Sequence, residues 1–157
     1  MKREVVSVYV ENKPNVLSRV ISLYGRRGFN IESLTVSATN DPTISRVTIT
    51  FEGDTLTLAQ IVSQTEKLEV VKKIMTLNND TSFFRELLLV KVKANKEIRG
   101  KVKEIADIYR AKVIHLEPEY LVLELTGRPE KLDAFLKILK EFEIIDVCRT
   151  GISGIEK

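Results

Sequence analysis

One order of hydrophobic periodicities runs twice through this chain of 157 residues, and that repetition restricts the possible folds more than any single motif does. From Glu4 to Val10 the residues alternate, with Val6, Val8 and Val10 on one face and Val5, Ser7 and Tyr9 on the other, the period of a strand. Asn12-Lys13-Pro14-Asn15 makes a turn, after which Leu17, Val20, Ile21 and Tyr24 fall at i, i+3, i+4 and i+7. That stripe predicts a helix to about Arg27, with Gly25 and Gly28 placed to end it. Asn30 to Thr39 reads as a strand, Asn40-Asp41-Pro42 as a turn, and Thr43 to Phe51, rich in β-branched residues, as the antiparallel partner. Gly53-Asp54-Thr55 offers a cap for a second helix carrying Leu58, Ile61, Val62 and Leu68, and Glu69 to Leu77 closes the cycle as a strand. The order β-α-β-β-α-β is the split βαβ, or ferredoxin-like, pattern, in which two helices cover one face of a sheet.

The cycle then restarts. Phe84 to Ala94 reads as a strand, and Ile98, Val102, Ile105, Ala106 and Tyr109 share one helical face. Lys112 to Leu116 and Glu119 to Gly127 form a hairpin about Pro118; Leu132, Phe135, Leu136 and Leu139 make another helical stripe, and Ile144 to Cys148 a last strand. The fold class expected is α+β, two tandem βαββαβ domains over 1–77 and 84–157, joined by a polar linker at 78–83. In the first strand both faces carry apolar residues, so the sheet face away from the helices needs a cover. Domains of ~70 to 80 residues gain little stability alone and often oligomerise, which leads us to expect a homodimer.

Composition narrows the function classes. Apolar residues are 43% and charged residues 30%, with 7 Gly and 4 Pro, so the chain is neither disordered nor collagen-like. Its charge of +3 is spread without a long like-charged block, and nothing in it demands nucleic acid. The longest apolar run, Leu87-Leu88-Leu89-Val90, falls far short of the ~18 to 20 residues of a membrane span. Glu4 and Glu11 interrupt any signal-like apolar stretch, and the single Cys148 suits a reducing compartment, so the cytoplasm is expected.

Catalytic chemistry finds few candidates. With one histidine, His115, and one cysteine, Cys148, far apart in sequence, a Ser-His-Asp, Cys-His or multi-histidine metal site cannot be built within one chain. Both read as structural residues. Tyr24-Gly25-Arg26-Arg27-Gly28-Phe29 has neither phosphate-loop spacing. The basic residues Lys91, Lys93, Lys96, Arg99, Lys101 and Lys103 suit a solvated strand edge and helix face. An RNA-recognition module would present stacking aromatics on its inner strands; only Tyr9 and Phe51 are available, without an RNP-like run.

One segment is placed for a ligand. Glu11-Asn12-Lys13-Pro14-Asn15-Val16-Leu17 leads from strand into helix, so N–H groups near Asn15 to Leu17 lie unpaired at the positive end of the helix dipole, where a carboxylate docks. Asn30, just beyond the far end of that helix, carries both an acceptor and a donor for an amino acid's ammonium and carboxylate groups. The spacing is served at least as well by Asn12 or Asn15 as a cap and Asn30 as a turn residue.

The run Ser18-Arg19-Val20-Ile21-Ser22-Leu23-Tyr24, then Arg26-Arg27-Gly28-Phe29-Asn30-Ile31-Glu32-Ser33-Leu34-Thr35-Val36 and Asp41-Pro42-Thr43-Ile44-Ser45-Arg46, resembles the regulatory (small) subunits of acetohydroxyacid synthase, also called acetolactate synthase. Similarity continues through Arg85-Glu86-Leu87-Leu88-Leu89-Val90-Lys91-Val92, Lys131-Leu132-Asp133-Ala134-Phe135 and Arg149-Thr150-Gly151. The resemblance implies an ACT domain in the first half and a ferredoxin-like domain in the second. It further implies a non-catalytic partner of a thiamine-diphosphate-dependent catalytic subunit, which condenses pyruvate with pyruvate or 2-ketobutyrate in branched-chain amino-acid synthesis. Such a partner raises activity and carries feedback inhibition, usually by valine; thiamine diphosphate, Mg²⁺ and FAD belong to the catalytic subunit, so no cofactor is expected here. Carried over by position, valine would sit at an ACT dimer interface, with Asn12, Asn15, Val16 and Leu17 forming the loop side and Asn30 and Ile31 the start of strand two. Many relatives have Gly at the position of Asn15, where a positive φ is useful. The alternative is a free-standing ACT-type amino-acid sensor acting on another enzyme or a transcription factor; a small acylphosphatase-like hydrolase would need a glycine-rich anion loop that is missing from the sequence.

Overall fold

Alternating valines build the first strand, β1 (Lys2–Glu11), which takes an inner place in a four-stranded sheet and sets Val6, Val8 and Val10 on one face. A computed structural model describes residues 2–157, which divide into two units: 2–83 together with Gly151–Lys157, and Phe84–Thr150. In the first unit β1 is followed by α1 (Val16–Arg26), β2 (Ile31–Ala38), β3 (Ile44–Gly53), α2 (Thr55–Glu66) and β4 (Val71–Leu77). The sheet order is β2-β3-β1-β4, with every neighbouring pair antiparallel. Register pairs Val6 with Ile49 and Val8 with Val47, so one face presents a continuous aliphatic surface to Val16, Val20 and Tyr24 of α1 and Ile61 of α2. Tyr24 is fully buried, edge-on to Phe51 with ring centroids 5.7 Å apart. Gly28 at φ +72° lets the chain leave α1 in the left-handed conformation and turn into β2.

The opposite face of this sheet is polar at its centre. Ser7, Thr48 and Thr50 are almost fully buried, Arg46 Nε donates to Ser7 Oγ at 2.7 Å, and the guanidinium lies over Tyr9. Part of this face is covered by the chain's own last segment: Ile152 is buried, and Gly151 rests against Ser33 and Thr35 of β2. Periodicity counted 151–157 with the second repeat. These residues, with β9 (Ser153–Glu156), instead gather with the first unit, while β5 (Ser82–Lys93) runs into the second.

The second unit repeats the topology with β5, α3 (Lys96–Tyr109), β6 (Lys112–Leu116), β7 (Tyr120–Gly127), α4 (Pro129–Leu139) and β8 (Ile144–Arg149), in the order β6-β7-β5-β8. Its core packs Leu88, Val90, Val92, Leu121, Leu123 and Leu125 of the sheet against Val102, Ala106, Leu132, Phe135 and Leu139. At its edge Arg149 of β8 binds the buried carboxylate of Glu86 through Nη2 and Asp133 through Nη1 at 2.6 Å. Burial works against the Arg149 guanidinium, but its hydrogen bonds to Glu86 and Asp133 prevail and raise its pKa.

The polar stretch expected as a linker, 78–83, ends where the two units divide and contains a tight turn. Asn78 Oδ1 accepts from the N–H groups of Asp80 (2.9 Å) and Thr81 (3.0 Å), and Ser82 is already buried in β5.

Candidate functional site

The loop between β1 and α1 is held at both ends. Glu11 takes Lys72 of β4 at 3.2 Å and Lys13 at 3.6 Å, and its hydrogen bond from Lys72 together with the charge of Lys13 lowers its pKa. Asn12 is tied to the β2–β3 turn by two bonds, its N–H to Thr43 O at 2.8 Å and its Nδ2 to Pro42 O at 3.0 Å. That turn is shaped by Asp41, whose Oδ1 accepts from Thr43 N and Thr43 Oγ1 at 2.9 and 2.7 Å, bonds that lower the Asp41 pKa. Residues 41–43 thus support the loop without belonging to it. The signal was present in the Asp-x-Thr spacing, which reads as a side-chain-closed turn.

Asn15 adopts φ 69°, ψ −3°, the left-handed conformation, and its side chain makes no cap for α1. The two other asparagine or aspartate N-caps behave differently: Asp54 accepts from Thr57 N, and Asn95 accepts from Glu97 N and Ile98 N. At α1 the N–H of Val16 reaches Lys13 O at 3.4 Å and that of Arg19 reaches Asn15 O, while those of Leu17 and Ser18 have no acceptor among the described residues. Of the donors that spacing indicated near Asn15 to Leu17, Val16 is thus bonded and Leu17 is unpaired, and Ser18 extends the set by one residue. The unpaired donors sit at the positive end of an 11-residue helix, beside the partly exposed side chain of Leu17. Val16 is buried in the core, so it offers the site structure rather than side-chain contact.

Asn30 and Ile31 lie at the other end of the unit. The register places Ile31 opposite Phe51 and Arg3 opposite Glu52, whereas Glu11 faces Ile44 beside the loop. The length of α1, about 16 Å at ~1.5 Å per residue, separates the two sets within one chain. Asn30 is exposed and lines a pocket of about 470 Å³ with Gly28, Phe29, Glu32, Glu52, Gly53 and Thr57. Ile31 is half-buried against the core.

The residues set aside on sequence grounds occupy unremarkable places. His115 is exposed and 3.0 Å from Glu117; Cys148 is exposed on β8; and no group of three or more metal-ligating side chains occurs among the described residues. Phe51 is fully buried under the helices, so it is not on an open sheet face where a base could stack. Of the basic stretch, Lys93 pairs with Glu143, Lys103 with Asp107, and Lys91 lies over the Tyr120 ring. No helix of the described residues is long and apolar enough to cross a membrane.

Comparison with known proteins gives consistent matches along the chain. A family described as "AHAS small subunit-like ACT domain" matches residues 6–73, and one described as "Small subunit of acetolactate synthase" matches residues 85–157. The acetolactate synthase small subunit of Mycolicibacterium smegmatis is 43% identical over 152 residues, covering 97% of this chain and 89% of the relative. The acetolactate synthase isozyme 3 small subunit of Escherichia coli is 41% identical over 156 residues, with 99% and 96% covered. The crystal structure of the acetolactate synthase small subunit from Thermotoga maritima superposes with a TM-score of 0.88 at 34% identity, over 100% of this chain and 98% of that one.

Proposed function

The chain belongs to the family of acetolactate synthase small subunits, and we propose that it acts as a non-catalytic regulatory subunit that activates the catalytic subunit and confers feedback inhibition by valine. In this reading the catalytic subunit holds thiamine diphosphate, Mg²⁺ and FAD and performs the condensation in the cytoplasm, while this chain binds no cofactor and acts through its homodimer.

The observation that carries the reading is the uncapped start of α1, where a left-handed Asn15 leaves the N–H groups of Leu17 and Ser18 unpaired. A valine carboxylate supplies the missing acceptor, and the helix dipole favours its charge. Leu17 borders the isopropyl group. Asn30 and Ile31 are too far away to join the same ligand from the same copy. In a two-fold dimer with the two α1 helices antiparallel, each β1–α1 loop meets Asn30 and Ile31 of the other copy, so the site is completed twice per dimer. A ligand gripped from both copies binds one relative pose of the two more tightly than another, and only such differential binding inhibits. Pocket size separates valine from leucine by only ~1 to 3 kcal/mol per methylene, so both belong in the test.

That test is a calorimetric titration of the purified chain with valine, leucine, isoleucine and a non-branched amino acid, followed by reconstitution with the catalytic subunit. Valine binding with two sites per dimer, activation without valine and inhibition with it are the expected results. Valine binding with no effect on the catalytic subunit would favour the free-standing sensor. No response to any of the four, alone or in the reconstituted enzyme, would overturn the effector site.

A further inference from the structure

Asn30 is exposed, so its direction depends on the backbone that follows it rather than on packing of its own side chain. That backbone is irregular. The pairing of β2 with β3 shifts register between Ile31 and Ser33, leaving Glu32 as the extra residue of a bulge, a device that re-aims neighbouring side chains. The bulge is held from two sides. Arg3 of β1 donates through Nε and Nη2 to the two carboxylate oxygens of Glu32, at 3.1 and 2.7 Å. Ser33, the next residue, is met by the chain's last segment, 119 positions away: Ile152 N–H points at Ser33 Oγ at 3.5 Å, and Ile152 is buried.

Gly151 makes this contact possible. It has φ +86°, and a Cβ built on it would lie 2.8 Å from Ser33 Cβ, 3.1 Å from Ser33 Oγ and 3.5 Å from Thr35 Cγ2. The strap backbone therefore lies directly on two successive residues of the same face of β2. Beneath Ser33, its register partner Thr50 is 1% exposed, so β2 is braced by β3 alongside the strap.

Building on the effector site proposed above, we infer that the Gly151–Ile152 strap, seated on Ser33, positions Asn30 at the start of β2 and so sets the sensitivity of this subunit to its effector. Gly151, Ile152 and Ser33 are positioning residues that touch no ligand. A side chain at position 151 forces either β2 or the strap to move, because the atom it meets is a Cβ fixed to backbone rather than the end of a flexible chain.

The test uses the full chain and its reconstituted complex with the catalytic subunit, in four forms: wild type, Gly151→Ala, Ser33→Gly, and the double variant. Two readouts are taken, hydrogen exchange at the amides of residues 30–33 in the free protein, and the valine concentration for half-inhibition of the complex. Gly151→Ala is expected to speed exchange at 30–33 and raise the half-inhibition concentration about five-fold or more, with activation in the absence of valine unchanged. Ser33→Gly removes the Cβ and Oγ that the new methyl meets, so the double variant returns towards wild type on both readouts. Wild-type exchange at 30–33 in Gly151→Ala, faster exchange with unaltered half-inhibition, or a double variant as impaired as Gly151→Ala would each overturn the inference. If the wild-type complex does not respond to valine at all, the effector reading fails and exchange alone decides whether the strap positions β2.

Discussion

Asn15 sets the start of α1 through one backbone angle. At φ 69° any side chain beyond glycine is strained, and asparagine tolerates the region better than most. Asn15→Ala should therefore lower unfolding stability by about 1 to 2 kcal/mol, whereas Asn15→Gly should hold it or raise it slightly, both read from urea denaturation. Asn15→Asp should keep the fold but put a like charge beside the unpaired N–H groups, weakening valine binding in the calorimeter; unaltered affinity would count against a carboxylate there. In the second unit, Arg149 neutralises the buried Glu86. Arg149→Met should cost about 3 to 5 kcal/mol in urea unfolding, because it strands a buried carboxylate, and adding Glu86→Leu should restore much of the loss. If Arg149→Met were neutral, the pair would have no structural weight.

At the scale of the element, three helix starts are solved differently by similar residues. Asn95 caps α3 through a neutral amide bonded to two N–H groups, so Asn95→Ala should destabilise by about 1 kcal/mol at any pH between 4 and 8. Asp54 caps α2 as a carboxylate, and its bonds from Thr57 hold its pKa below the usual aspartate value. The sign follows from linkage. A depressed folded pKa gives stability that is present above about pH 4, the unfolded value, and lost as pH falls through the lower folded value. Asp54→Asn should flatten that part of the acid-stability profile while leaving α2 formed by circular dichroism. The α1 start has no side-chain cap, so two of its donors stay free where α2 and α3 have theirs bonded.

For the whole molecule, the decisive feature is that the first unit is made from two separated stretches of chain. Deleting Gly151–Lys157 should lower the thermal transition of the first unit by several degrees and leave that of the second unit near its original place, since the latter's core draws on none of those residues. Differential scanning calorimetry, with hydrogen exchange to assign the transitions, checks this; an unchanged first transition would mean that the segment braces nothing.

Local periodicity was enough for the elements from β1 to β8, their order and the tandem repeat, though not for β9, because helices and half-buried strands write their 3.6- and 2-residue periods into contiguous stretches. The β1–α1 loop was legible for the same reason, since strand end, turn cluster and helix start are neighbours along the chain. The depth of Val16, the brace from Asp41 to Asn12, the bond that occupies Val16 N–H and the extra free donor at Ser18 were not legible, since each depends on contacts of a few ångströms between turns. Least visible of all were the distance between Asn15 and Asn30 and the return of Gly151 onto Ser33. Those are set by the path of the folded chain, which brings residues 119 positions apart together and keeps others, 15 apart, at opposite ends of one helix.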